Sequence, residues 1–444
     1  MSAKTRPGSK SSGGAGPGKK VIVATCVLAS VGAAVEFALS RRGPVLAGNE
    51  GSHVELLAAV VFRGSFVLEH DNVDVSVHDG KVYSNKPPGY AFLLAPGYFA
   101  CARLVGWRVS PFHFAKLASC VFSVGVAMAV VALASSLGLE GRAAILGTVG
   151  AVVGTVFPAY ASLANSIPLS VLLCVLAVLF RRLHAVRGGG WRWGVSAFVA
   201  AWSVITDYSN GFFLLPLVAV LVLDVVRRPG LVVWGLPSLV PLALLGWYNW
   251  RCFGSPLVLT YSFYRAPPII PWDGVSGSLA LSNIPGGLYG LVLSASRGMF
   301  VVSPVTVLGT VACWWVFRER LGGARLVALC AASGLVLNGA YSLWHGGHCV
   351  GYRHGLQSGV FLGLLSGFFF ARAGRWASRR RLLPRGARAV AMAVLMVSCL
   401  SGVASFMIHL DPRLVDLTWT PGAVEAHAGY WGELVPRLVA SYLP

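Results

Sequence analysis

The chain has 444 residues, 56% of them hydrophobic and only 12% charged, about half the ~25% charged share of an ordinary soluble domain. Its 36 Lys and Arg against 16 Asp and Glu give a formal net charge of +20. Long apolar runs exclude the soluble globular and disordered classes. Because the basic residues fall between those runs, the charge reads as membrane orientation and not as a nucleic-acid surface. The nine cysteines are odd in number and have no zinc-ligand spacing, so they fix neither a metal site nor a redox compartment.

Residues 1–20 are rich in Gly, Ser and Lys and read as a flexible basic tail on the cytoplasmic side. Residues 21–408 read as an all-α polytopic membrane domain of about eleven transmembrane helices, against the roughly 20 apolar residues that a span needs. They are expected near 21–40, 112–136, 143–157, 165–180, 192–206, 211–226, 231–250, 299–317, 326–343, 354–371 and 389–408. Residues 286–296 add a short or re-entrant piece. The tail 409–444 is expected outside the cell, with packing aromatics and no chemical motif.

Charge tests that layout. With the N-terminus cytoplasmic, the inner segments hold 22 of the 36 Lys and Arg but only Glu140, Asp224 and Glu319 of the 16 acids. Such asymmetry sets orientation in a plasma membrane. It holds only if 89–106, broken by Pro96 and Gly97, lies along the outer interface and does not cross.

The large outer loop 41–111 carries the most chemistry. Ser52 and Glu55 have the spacing of a capping box opening a helix from His53 to Phe62. Val73–His78 alternates apolar and polar residues, Asp79-Gly80 turns the chain, and Lys81–Ser84 returns, a β-hairpin pattern. Two prolines after Lys86 stiffen the backbone and fix its direction. Glu50, Glu55, Glu69, Asp71, Asp74 and Asp79 accompany His53, His70 and His78. Glu55 is expected to cap, Asp79 to turn, and Asp74 and Glu69 to be solvated strand charges. Glu50 and Lys86 have no such local task. A lysine beside a membrane suits a lipid phosphate, and a carboxylate suits a general base or a hard cation.

These features together resemble the GT-C glycosyltransferase superfamily, in particular the protein mannosyltransferase and aminoarabinose–lipid A transferase group. The likeness rests on the acidic loop after helix one, Lys86-Pro87-Pro88, the interfacial helix and a re-entering helix. It extends to Trp247–Pro256, Ser296–Pro304 and Trp344–His348 with Tyr352-Arg353, and covers about residues 21–370. It implies transfer of a sugar from a polyprenyl-phosphate donor to a glycan, lipid or protein acceptor on the outer face, with inversion. Membrane lipids are the other expected partners, and nucleic acid is not one.

The resemblance implies that Glu50 is the base and that Lys86 holds the donor phosphate. Arg297 and Arg353, on the same expected side, are further phosphate ligands. His345, His348, Asp71 and His70 are candidates for metal or sugar contacts, and a divalent metal ion is a candidate cofactor. The chain departs from the group twice. Asn49-Glu50 stands where protein mannosyltransferases have Asp-Glu, and Asn85 stands where the lipid A transferases have a metal-binding Glu. The competing readings are a transporter or lipid flippase, and a non-catalytic protein of the same fold.

Overall fold

The structure is a computed structural model and describes residues 48–70, 74–104, 109–265, 279–295, 297–344, 349, 351–379 and 383–410. The expected first span and the two tails lie outside these residues, as do Asp71, His345 and His348.

The outer loop begins with α1, Gly48–Ala58, continued by a π-helical turn Ala59–Arg63. Strands β1 (Val75–His78) and β2 (Lys81–Ser84) form an antiparallel hairpin pairing Val75 with Ser84 and His78 with Lys81. Asp79 and Gly80 both take positive φ, 50° and 71°, the conformation a two-residue hairpin turn demands. Helix α2, Gly89–Phe99, contains Pro96 and runs into a π-helical turn Ala100–Leu104. Its 11 α-helical residues are too few to cross a membrane, which takes roughly 20.

The bundle follows as α3 (Pro111–Ser136), α4 (Gly141–Val152), α5 (Ile167–Arg187), α6 (Gly190–Thr206), α7 (Leu215–Arg227) and α8 (Leu239–Phe253). It continues with α9 (Ile284–Leu293), α10 (Val305–Arg318), α11 (Gly322–Gly339), α12 (Leu356–Arg379) and α13 (Leu383–Leu410). Local sequence explains several starts. Ser110 caps α3 by accepting from the His113 amide at 3.3 Å, and Pro111 opens the helix where no N–H is needed.

Six described helices are long and apolar enough to cross a membrane: Pro111–Ser136, Ile167–Arg187, Leu231–Phe253, Gly322–Gly339, Arg353–Ala373 and Gly386–Ser405. Among the described residues, the other expected spans are shorter or broken. The 299–317 run is interrupted at Ser303-Pro304, between Met299–Val302 and α10. The 143–157 run stops at Val152 and passes through a 3-10 turn, Phe157–Tyr160. Residues 286–296 do form a short helix, α9.

Arg353–Ala373 is 72% buried inside the protein and Leu231–Phe253 only 17%, so α12 is the central post and α8 a lipid-facing helix. Small residues let α12 approach its neighbour. A methyl on Gly363 would stand 2.6 Å from the Gly150 carbonyl oxygen of α4, so only glycine allows that backbone contact.

The bundle has two chemically distinct ends. At one, Arg181 meets Asp224 (Nε–Oδ2 2.6 Å, Nη2–Oδ1 2.9 Å), tying α5 to α7. Arg182 donates to the Ser136 carbonyl at 2.9 Å, and Arg372 pairs with Glu319. These residues come from the segments assigned to the inner side by charge. The segments assigned to the outer side gather at the other end.

Candidate active site

Helix α1 already includes Gly48, four residues before the expected cap. Ser52 and Glu55 therefore sit inside the helix and cap nothing. Ser52 Oγ lies 2.7 Å from Ser84 Oγ, and Glu55 Oε1 lies 2.6 Å from His70 Nδ1. A tertiary contact has overridden a local motif. Glu55 is 6% exposed, and burial raises its carboxyl pKa against the pull of His70. His70 thus has one ring nitrogen engaged by Glu55.

Glu50, in the first turn of α1, accepts a hydrogen bond from the Ala164 amide through Oε1 at 2.8 Å. That bond joins the outer loop to the chain entering α5 and orients the carboxylate.

The Ser84–Pro88 turn is held from several directions. The Lys86 amide donates to Ser84 Oγ at 3.1 Å, and Thr260 Oγ1 donates to the Asn85 carbonyl at 2.6 Å. Ser76 Oγ reaches the Thr260 carbonyl at 2.7 Å, so segment 260–265 clamps the hairpin. Gly89 follows the prolines where the backbone crosses the end of α6. A methyl there would stand 2.5 Å from the Ile205 carbonyl oxygen.

Asp74 is the residue the sequence misassigned. It is no solvated strand charge. Its Oδ1 lies 3.4 Å from Lys86 Nζ and accepts from Asn85 Nδ2 at 3.4 Å. Burial alone would raise its pKa, but the charges of Lys86 and Arg353, with Asn85, outweigh burial and hold it below the usual 3.8. The hairpin register carried the signal. Counting back from the turn past Val75–Ser84 sets Asp74 opposite Asn85, next to Lys86.

Around this pair stand aromatic walls. Lys86 Nζ lies 5.6 Å from the Tyr261 ring centroid. Burial, then the Asp74 charge, pushes the Tyr264 phenol up to about 12, so it is a neutral donor at physiological pH. Tyr208 packs edge-on against Tyr261 at 6.0 Å. Asp207 serves a helix end, accepting from the Ser209 amide at 3.0 Å.

Arg353 opens the turn leading into α12 and lies within electrostatic reach of Asp74, Asp207, Cys349 and Tyr160. Arg297 is 6% exposed and donates through Nη1 to Cys349 Sγ at 3.3 Å. Tyr160 feels both arginines. The structure therefore brings Lys86 and Arg353 together on Asp74 and places Arg297 in an adjoining group around Cys349 and Tyr160.

His53 is a second residue the sequence passed over. It lies one helical turn after Glu50 on the same face of α1 and is 1% exposed. Its ring meets Tyr90 edge-on at 5.3 Å. Burial first, then the charges of Lys86 and Arg353, lower its pKa to about 3 against the opposing Asp74.

Among the described residues no group of three or more His, Cys, Asp or Glu could hold a metal ion. The donor set around Asp74 does not fit one. Two cations act on the carboxylate, and Asn85 presents its amide nitrogen to it, where a metal would need an oxygen. A separate apolar cleft of about 400 Å³ opens between the π-helical turn after α1, α2, α6 and α8, lined by Val61, Phe66, Phe92, Pro96, Trp202 and Trp247.

No family sequence model and no curated protein sequence matches this chain. Solved structures do. ArnT from Cupriavidus metallidurans bound to undecaprenyl phosphate is similar with a TM-score of 0.53 and 14% identity, over 96% of this chain and 81% of that one. The archaeal oligosaccharyltransferase AglB from Archaeoglobus fulgidus, in complex with an inhibitory peptide and a dolichol-phosphate, gives a TM-score of 0.51 and 13% identity. That likeness covers 93% of this chain and 59% of AglB, so the chain spans about three-fifths of the oligosaccharyltransferase's length. The fold is therefore the GT-C fold expected from the sequence, and the chain is an integral membrane protein.

Proposed function

We propose that this chain is a membrane glycosyltransferase, moving a sugar from a polyprenyl-phosphate carrier to a glycan, lipid or protein acceptor on the outer face of the plasma membrane. The observation that carries the reading is the convergence of Lys86 and Arg353 on Asp74, beside the helix that bears Glu50. The apolar cleft at α2 and α8 suits an isoprenoid chain, and the charged group suits its phosphate. The ligands of ArnT and AglB, undecaprenyl phosphate and dolichol-phosphate, support the same class of donor.

The chemistry follows from those groups. Glu50 removes the proton of the acceptor hydroxyl or amide as that atom attacks the anomeric carbon. The new glycosidic bond forms as the sugar–phosphate C–O bond breaks, through a transition state with oxocarbenium character. The electron pair of the broken bond leaves on the lipid phosphate. Fixed cations at Lys86, Arg353 and Arg297 stabilise that growing charge without reorganising. One base and no covalent intermediate give inversion. No step is routed through a metal.

Membranes carrying the wild-type chain are expected to transfer labelled sugar from one member of a panel of polyprenyl-phosphate sugars. Glu50→Gln should lower kcat by about 10²–10⁴-fold while the protein remains inserted. A Glu50→Gln variant working at the wild-type rate removes Glu50 as the base. A wild-type chain that transfers from no donor in the panel removes the reading itself.

A further inference from the structure

His53 is an expensive residue to bury where it is. Neither ring nitrogen has a hydrogen-bond partner among the described residues, and both nitrogens are shielded from solvent. Each buried polar atom left unpaired forfeits its hydrogen bonds to water and destabilises the fold. Its packing against Tyr90 could be made by a phenylalanine at no such cost. Buried unpaired polar groups are rare in native proteins, and a waiting ligand is one of the few reasons they persist.

The position narrows what that ligand is. His53 shares a face of α1 with Glu50, one turn away, and lies in the combined field of Lys86, Arg353 and Asp74. It is one helical turn from the proposed base and within electrostatic reach of the proposed phosphate-holding cations. In a displacement at an anomeric carbon, the sugar ring is the part of the substrate between those two points.

The protonation state narrows it further. With its pKa near 3 the imidazole is neutral at physiological pH. A neutral ring offers one N–H donor and one nitrogen acceptor. A phosphate offers acceptors only and would face the acceptor nitrogen with a lone pair. A sugar hydroxyl can both donate and accept, so it can pair with either ring nitrogen, whichever of the two faces it. The low pKa also makes His53 a poor proton acceptor beside Glu50.

We propose that His53 is a sugar-binding residue, its neutral imidazole holding hydroxyl groups of the sugar carried on the lipid phosphate. This rests on the function proposed above and adds which part of the donor His53 reads. Lys86 and Arg353 take the phosphate, and His53 takes the polyol.

The test is the binding of two probes to the full-length protein in detergent: a polyprenyl-phosphate sugar that the wild type transfers, and the same polyprenyl phosphate without sugar. His53→Phe keeps the ring against Tyr90 and removes both nitrogens. It should weaken the sugar-bearing probe by about tenfold, the worth of one or two neutral hydrogen bonds, and leave the sugar-free probe unchanged. His53→Gln, which carries a donor and an acceptor, should recover part of that loss. Thermal unfolding of each variant checks that the fold survives. His53→Phe binding both probes like the wild type, or losing both alike, overturns the assignment and leaves the proposed transfer intact. A wild type that transfers from no polyprenyl-phosphate sugar, so that no such probe exists, overturns both readings together.

Discussion

The two ends of the bundle treat charge in opposite ways. At one end two guanidiniums each have their own carboxylate: Arg181 with Asp224, Arg372 with Glu319. At the other, Lys86 and Arg353 act on the same carboxylate, Asp74, and Lys86 stands off at 3.4 Å. Exclusive pairs across helices tie a bundle together. Cations gathered on one shared acid, with a neutral unpaired imidazole among them, leave positive groups positioned for an anion brought from outside. On the function proposed above, the difference separates a structural end from a chemical one.

Substitutions at the two ends should break that comparison in different measurements. The largest effect is expected at Lys86 and Arg353. Removing either cation as Lys86→Met or Arg353→Met should cost about 10²–10³-fold in kcat, the usual loss for one group that stabilises transition-state charge. Arg181→Met should do the reverse. It leaves a mostly buried Asp224 without its partner and should lower stability by about 3 kcal/mol, read by thermal unfolding in detergent, with kcat per folded molecule unchanged.

Next in size is Gly89→Ala. Its methyl meets the Ile205 carbonyl, so overpacking should cost about 1–3 kcal/mol and displace the turn that aims Lys86. Gly230→Ala, where a methyl meets nothing within 4 Å, is the control and should cost nothing of the kind.

The smallest effect is a pH dependence. The folded pKa of Asp74 is depressed, so its contribution to stability is complete above the unfolded value of 3.8 and is lost as pH falls through the folded value. The Tm advantage of wild type over Asp74→Asn should therefore be constant at neutral and mildly acidic pH. It should shrink only below the ordinary carboxylate range.

Much of the fold was legible in the sequence. The hairpin followed from alternation and the Asp79-Gly80 turn, and most of the bundle from apolar runs. Breaks within those runs were not, because hydropathy averages across a Ser303-Pro304 or a Leu214 that ends a helix within an apolar stretch. At the proposed site, Glu50, Lys86 and Arg353 were singled out in the sequence by the loop and by the resemblance to the GT-C group, and the structure sets Lys86 and Arg353 around Asp74. Asp74 was not, because its charge was weighed alone and not by its register opposite Asn85. His53 was hidden for a similar reason. Ser52 and Glu55 looked like a cap, which placed His53 at a helix start. The helix already includes Gly48, which puts His53 inside it, on the Glu50 face. Contacts to Ser84 and His70, distant in sequence, decided that shift, and no local motif records them.

The central claim is that the shared-acid end of the bundle holds a lipid phosphate and the paired end does not. The most direct test is the affinity of sugar-free polyprenyl phosphate for the wild type, Lys86→Met and Arg181→Met, each in detergent at one salt concentration. Lys86→Met should bind about ten- to a hundredfold more weakly, the worth of one charge-assisted contact, and Arg181→Met should bind as the wild type does. Unchanged binding by Lys86→Met, or equal losses in both variants, would contradict the account.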